Sequence, residues 1–456
     1  MKTLETVLVG CVVVCVVGCS GGGGGGTGGG SETTGGGSGA TAGGSGATAG
    51  GSATAGGSGS TAGGSGSTAG GSGAMAGGGM TAGGMEMPVP TEIIDLSAGE
   101  QGTCAVLANK TARCWGRNNE GQLGNGMVGG ESKTPVEVMG LTTVEQISMG
   151  YEHACAVLTD RTARCWGRND NGRLGNNSTT RSAVPVTVMG LTGVATIHAG
   201  VSISCALLQN GTVSCWGRGG EIGDNGVSES RVPKQVPGLT NVKQLSVAVS
   251  SGVASGSIHV CGVRTDGTAF CWGNGADGAL GNGSFDGARA PVPVVGPGDA
   301  GITDAQEITA GGTHGCMRRA AGVSCWGFSQ QVGDGTVERR TVATPINSTV
   351  MVSAIEAGND HTIARTTTNS LICWGRNGRG QCGDGAAFPP SGPVYTSPVA
   401  SLQMGVSLFS SGGTHTCAYV PATRVTWCWG SNDWHELGFD TPEFIFRTST
   451  PGFVRW

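Results

Sequence analysis

Charge is scarce in this chain: only 12% of its 456 residues are Asp, Glu, Lys or Arg, and the net charge is −5. No cluster of Lys and Arg stands out, so the electrostatic footprint of a nucleic-acid binder is missing and no nucleic-acid partner is expected. Long apolar runs are lacking too. The N-terminal run Val7 to Val17 has eleven residues, whereas a helix needs ~20 to cross ~30 Å of hydrocarbon. No helical periodicity extends beyond two turns. Cys-x-x-Cys pairs, a nucleophile elbow, a phosphate-cradling loop and a His/Glu metal motif are all absent. No cofactor, metal or catalytic residue is therefore expected, and the chain reads as a non-enzyme.

What the chain has in excess is glycine, 90 residues, unevenly spread. Residues 20–87 are almost wholly Gly, Ser, Ala and Thr. Such a stretch buries too little apolar surface to offset the entropy of ordering, so a disordered tether is expected. Ahead of it, Lys2 and the short apolar run fit a signal peptide over residues 1–18. Val16-Val17-Gly18-Cys19-Ser20 looks like a bacterial lipobox, which makes Cys19 the expected lipidation site and 19–87 a lipidated linker. Ordinary signal-peptide cleavage is the alternative. A coil of this length reaches roughly 45 Å r.m.s., suited to holding a domain off a membrane. Ser20 rather than Asp after the cysteine points to the outer membrane. Export to the periplasm or surface of a Gram-negative-type envelope follows.

From residue 88 to 456 the composition is that of one domain, and the sequence repeats. Cys-Trp-Gly occurs seven times, with Trp at 115, 166, 216, 272, 326, 374 and 429. The common frame before it is an apolar residue and Ala-Gly (Leu96-Ser97-Ala98-Gly99, Ile308-Thr309-Ala310-Gly311) and, in six of the seven copies, a first Cys. The common frame after it is a Gly-x-Leu-Gly loop (Gly121 to Gly124, Gly172 to Gly175) and a Pro-x-x-Val segment (Pro135 to Val138, Pro185 to Val188). A period near 50 residues holding about four short strands indicates an all-β, seven-bladed β-propeller. The last segment, Pro451 to Trp456, aligns with Pro-x-x-Val, and its strand is expected to close the ring by pairing into the blade begun near Glu92-Ile93-Ile94.

This frame resembles the regulator of chromosome condensation repeat family, also called the alpha-tubulin suppressor type, in what would be a bacterial secreted or lipoprotein branch. The resemblance implies binding more than one fixed activity. Its eukaryotic namesake is a guanine-nucleotide exchange factor, a role that export disfavours here.

Beyond the leader, cysteines fall in pairs within repeats: Cys104–Cys114, Cys155–Cys165, Cys205–Cys215, Cys261–Cys271, Cys316–Cys325 and Cys417–Cys428. Asn210-Gly211 and Asp266-Gly267 mark hairpin turns between the partners, which sets them opposite one another at disulfide distance. Six disulfides agree with an oxidising compartment. In the sixth repeat Ile363 replaces the first Cys, and Cys382 replaces the loop Leu. Cys373–Cys382 is the inferred substitute pair, with two free thiols as the alternative.

Five histidines recur just before the first Cys position: His153, His259, His314, His361 and His415. Equivalent positions in neighbouring blades lie on the order of 10 Å apart, too far to share one metal ion. Backbone-bonded structural histidines are expected. The Trp of Cys-Trp-Gly is expected in the core, on the opposite sheet face from its Cys. Departures from the frame are the candidate partner contacts: Phe328, Trp434 and His435, together with an insertion over Ser246 to Ile258. The expected function is a monomeric, non-catalytic propeller scaffold that binds a protein, a ligand or a cell-surface polymer, held to the membrane by its lipid. A glycan-active hydrolase or lyase using the central funnel is the rival.

Overall fold

The computed structural model describes residues 91–219, 222–249, 258–386, 392–439 and 447–456. The expected leader (1–18), Cys19, the tether to residue 87 and the middle of the fourth-repeat insertion (250–257) lie outside the described residues.

Seven four-stranded sheets form, each from four consecutive strands in simple up-and-down order. Blade 1 holds Ile93–Ala98, Gly102–Leu107, Ala112–Arg117 and Glu131–Glu137. Blades 2 to 6 span 144–187, 194–235, 242–293, 305–345 and 352–400. Blade 7 holds Leu408–Ser411, His415–Val420, Val425–Ser431 and Arg447–Phe453. The first strands of successive blades adjoin one another around the axis.

An exposed sheet edge at the axis would leave unpaired N–H groups. Side chains of the preceding blade cap them. Asp95 Oδ2 accepts from Ile147 N at 2.8 Å and Ser97 Oγ from Met149 N at 2.9 Å. Gln146, Ser148, Ser246 and Thr309 do the same for Ile197, Ala199, Ala310 and Ala357. Ser410 Oγ accepts from Ala98 N at 2.9 Å and carries the pattern from blade 7 to blade 1.

The core lies between blades. In six blades the paired cysteines are direct cross-strand partners with Cα atoms 4.0–4.1 Å apart, and all six are bonded. In blade 6, Ile363 faces Cys373 across the strands, and Cys373 bonds Cys382 with a Cα separation of 5.4 Å. Alternation sends each Trp the other way, into the cluster formed by the preceding blade's cysteines. Trp166 packs with Cys104 and Cys114, and Trp115 with Cys417 and Cys428. All seven Trp side chains are fully buried.

The Gly after each Trp follows a bulge and has φ between +98° and +113°. A Cβ on Gly167 would lie 2.5 Å from Glu152 O in its own blade. Close approach between blades falls instead to the last Gly of Gly-x-Leu-Gly, where a Cβ on Gly124 would meet Trp166 Nε1 at 2.7 Å.

Closure differs from the sequence expectation. The last strand does not pair into blade 1; Arg447–Phe453 pairs with the third strand of blade 7 itself. The seam between residues 93 and 453 is therefore made like every other seam, by side chains and turn contacts. Trp115 Nε1 donates to Glu436 O, Gly413 N to Gly99 O, and Trp115 meets Trp456 edge-on at 5.7 Å. A periodic sequence has no phase, so the repeat by itself does not say which four strands form a sheet.

Candidate functional site

Four of the seven seams carry a short polar relay. His153 Nε2 is 2.8 Å from Ser204 Oγ of the next blade, and that hydroxyl donates to Arg173 O at 2.9 Å. His361 pairs with Thr416, which donates to Gln381 O, and His415 pairs with Thr103, which donates to Glu436 O. His314 pairs with Thr362. These partners are hydroxyls of the next blade, not backbone as expected from sequence. Burial pushes the imidazoles down, to about 3 for His314, His361 and His415. They are neutral structural links with Nε2 engaged. Among the described residues His259 meets no hydroxyl of blade 5; burial pushes its imidazole down to about 4, opposed by the backbone of His314.

The ring axis holds a cavity of about 180 Å³ lined by Asp95, His198, Glu356 and Ser410, among others. Burial raises Asp95 to about 6 and Glu356 to about 8. Yet Asp95 caps Ile147 N, and Glu356 accepts from Ser410 Oγ at 2.8 Å. These carboxyls serve as strand-edge caps. No group of three or more His, Cys, Asp or Glu side chains that could hold a metal occurs among the described residues.

The sequence candidates are not brought together. Trp434 and His435 sit half-buried at the seam of blades 7 and 1, each engaged by blade 1. Arg117 stacks on Trp434 at 4.4 Å, and His435 Nε2 lies 3.0 Å from Glu131 Oε1. Phe328 lies at the seam of blades 5 and 6, with the guanidiniums of Arg339 and Arg376 at 5.6 and 5.9 Å from its ring.

Beside Phe328 is the feature that sequence reasoning missed. In blades 1, 2, 6 and 7 an Asn organises the loop after Cys-Trp-Gly, as where Asn377 Oδ1 accepts from Cys382 N. Blade 5 has Phe328-Ser329-Gln330 and a single 3-10 turn, Ser329–Gln331, instead. Next to that turn, a groove of about 680 Å³ runs along blades 6 and 7, lined by Gln330, Asp360, Arg376, Arg379, Thr414 and Arg447 among others. A smaller cavity of about 130 Å³ shares Asp360 and Arg376 and reaches Phe328. Arg376 Nε donates to Gln330 Oε1 at 3.1 Å, and Arg379 pairs with Asp433 at 3.0 Å. Gln331 Nε2 donates to Asp360 Oδ1 at 2.9 Å; burial raises the Asp360 pKa, opposed by Arg376 and that bond. The clue in the sequence was Phe328-Ser329-Gln330 in place of the Asn loop, but the arginines come from two other blades.

Seven four-stranded sheets, packed seam against seam around one axis with a basic groove on one face, define a seven-bladed β-propeller. Residues 93–122, 144–173 and 352–381, and residues 114–157, 165–207 and 266–317, match the regulator of chromosome condensation (RCC1) repeat. The chain belongs to that family.

It is similar to the ultraviolet-B receptor UVR8 of Arabidopsis thaliana, 27% identical over 361 residues that cover 76% of this chain and 79% of the receptor. With the probable E3 ubiquitin-protein ligase HERC6 of Homo sapiens it shares 29% identity across 73% of this chain. The chain spans only 28% of that ligase's length. Among solved structures, Prp20p of Saccharomyces cerevisiae, described with its binding to Gsp1p and histones, superposes with a TM-score of 0.64. The identity is 20%, covering 76% of this chain and 87% of that one. Human WBSCR16 gives 0.62 at 22% identity, over 72% and 87%. At such identities the likeness is one of fold.

Proposed function

We propose that this chain is an exported, lipid-anchored, non-catalytic propeller that binds another protein through the face bearing the loops after Cys-Trp-Gly. The observation that carries this reading is the groove beside Phe328, the place where departures from the repeat gather charged side chains at the surface. Elsewhere the buried polar groups are largely taken up in holding the ring together. Protein binding by a propeller of this fold is described for Prp20p, which makes such a partner physically reasonable here. The leader and Cys19 support export and anchoring, and the long Gly-rich tether would give the ring reach from the membrane.

The test is cross-linking of the full-length chain in its native envelope, with fractionation of a Cys19→Ser variant alongside. A stoichiometric protein partner, with the variant released from the membrane fraction, is the expected result. Turnover of an envelope glycan, or a cytoplasmic chain with free cysteines, contradicts it.

A further inference from the structure

The geometry points to the groove of blades 5 to 7 as the binding site for an acidic, extended segment of the partner protein, its carboxylates taken by Arg376 and Arg379. The inference rests on the protein-binding reading above and names the chemistry of its contact.

Three guanidiniums line this groove, from Arg376, Arg379 and Arg447, against one lining carboxylate, Asp360. Asp360 is already committed, accepting from Gln331 Nε2. Arg376 is held by one edge only: its Nε donates to Gln330 Oε1, and Phe328 lies under the guanidinium at 5.9 Å. Its terminal nitrogens make no hydrogen bond among the described residues. A guanidinium fixed at one edge with its two terminal N–H groups forward is the geometry for bidentate carboxylate recognition. Phe328 and Gln330 are thus positioning residues for Arg376.

Arg379 pairs with Asp433, but its side chain is 46% exposed and that of Asp433 36% exposed. An ion pair this exposed is worth ~0–1 kcal/mol, so an incoming carboxylate can compete for it. Arg447 Nη1 donates to Gly378 O at 2.6 Å and adds positive field at the far end. A volume of about 680 Å³ suits a few residues of extended chain. A sugar polymer fits less well. Sugar rings are held by a free aromatic face, and the face of Phe328 is engaged by Arg339 and Arg376.

Fluorescein-labelled hexaglutamate, titrated into the full-length protein and read by anisotropy, is the direct probe. Binding is expected, weakening as salt rises, and hexalysine is expected not to bind. The double variant R376Q/R379Q should lose at least tenfold in affinity, and F328A a smaller factor. K234Q, on the outermost strand of blade 3, should be unchanged. The charge-reversed R376E/R379E should instead take hexalysine, which separates a lost site from a lost fold. Equal hexaglutamate binding by wild type and R376Q/R379Q, or binding of oligogalacturonate in its place, overturns the inference. If R376Q/R379Q still cross-links to the same envelope protein, the groove is not its contact although protein binding stands. If the unaltered chain captures no protein yet binds hexaglutamate through these arginines, the groove stands and the proposed role falls.

Discussion

Trp115 Nε1 donates a hydrogen bond to Glu436 O at 2.9 Å, joining side chain and backbone 321 positions apart in the sequence. Trp166 to Gln122, Trp216 to Arg173, Trp326 to Ala279 and Trp429 to Gln381 repeat it at 2.8–2.9 Å between adjacent blades. The bond that closes the ring is therefore the bond that builds it. Trp115→Ala should cost about 3–5 kcal/mol, as for other buried Trp truncations, and Trp216→Ala a similar amount. Urea denaturation checks this. A much smaller effect at Trp115 would mean that another contact closes the ring.

Thr103 both pairs with His415 Nε2 at 2.8 Å and donates to Glu436 O at 3.0 Å. Thr103→Val keeps the shape and leaves a buried imidazole nitrogen and a carbonyl without this partner, so a loss of about 1–3 kcal/mol is expected. A Thr103→Val, His415→Phe double variant should lose less than the sum of the single changes. Full additivity would show that the pair does not act as a unit.

Stability should peak near pH 6.5. Burial holds Glu356 near 8, Glu436 near 7 and Asp95 near 6, against ordinary values of 4.5, 4.5 and 3.8. Their unfolded forms release protons first, so stability falls as pH rises from about 4.5 to 8. His198 and His259 lie near 4, and His314, His361 and His415 near 3, below the ordinary 6.5. Their unfolded forms take protons first, so stability is lost as pH falls below about 6.5. The more numerous histidines dominate the acid side. Melting temperatures across pH 4 to 9 test this shape, and Glu356→Gln should flatten the alkaline limb. A melting temperature that keeps rising past pH 7.5 would contradict it.

The Cys104–Cys114 bond closes a short loop between facing strands. On the chain-entropy model, replacing both cysteines by Ala should cost roughly 2.5–3 kcal/mol at most. The ring should survive the change, because the hairpin and the Trp166 contacts remain. Loss of folding from this one pair would show that the blades depend on sulfur more than on packing.

Much of the fold was legible because all seven copies state one rule, Trp facing away and Gly where φ is positive, and six of them add Cys facing Cys. The closing step was not, since a repeat read from any starting point looks the same. The relay had a readable signal that spacing alone missed. Blades with His153, His314, His361 and His415 are each followed by a blade with Ser204, Thr362, Thr416 or Thr103 at the facing position. Where Gly102 and Ile203 replace His, the facing residues are Ala154 and Val260. Trp434 and His435 broke the frame and so looked available, but their partners Arg117 and Glu131 lie more than 300 residues away in sequence. Arg376, Arg379 and Arg447 are individually ordinary, and only the folded seam of blades 6 and 7, beside the blade 5 turn, makes them neighbours of one groove.

Peptide mapping of the unreduced protein, as isolated from cells and with free thiols blocked, tests the central claim most directly. Seven linked peptides are expected, six joining residues 9 to 11 apart on facing strands and one joining Cys373 to Cys382. Cysteines cross-linked between different repeats, or blocked as free thiols throughout, would contradict a ring of internally bonded blades formed outside the cytoplasm.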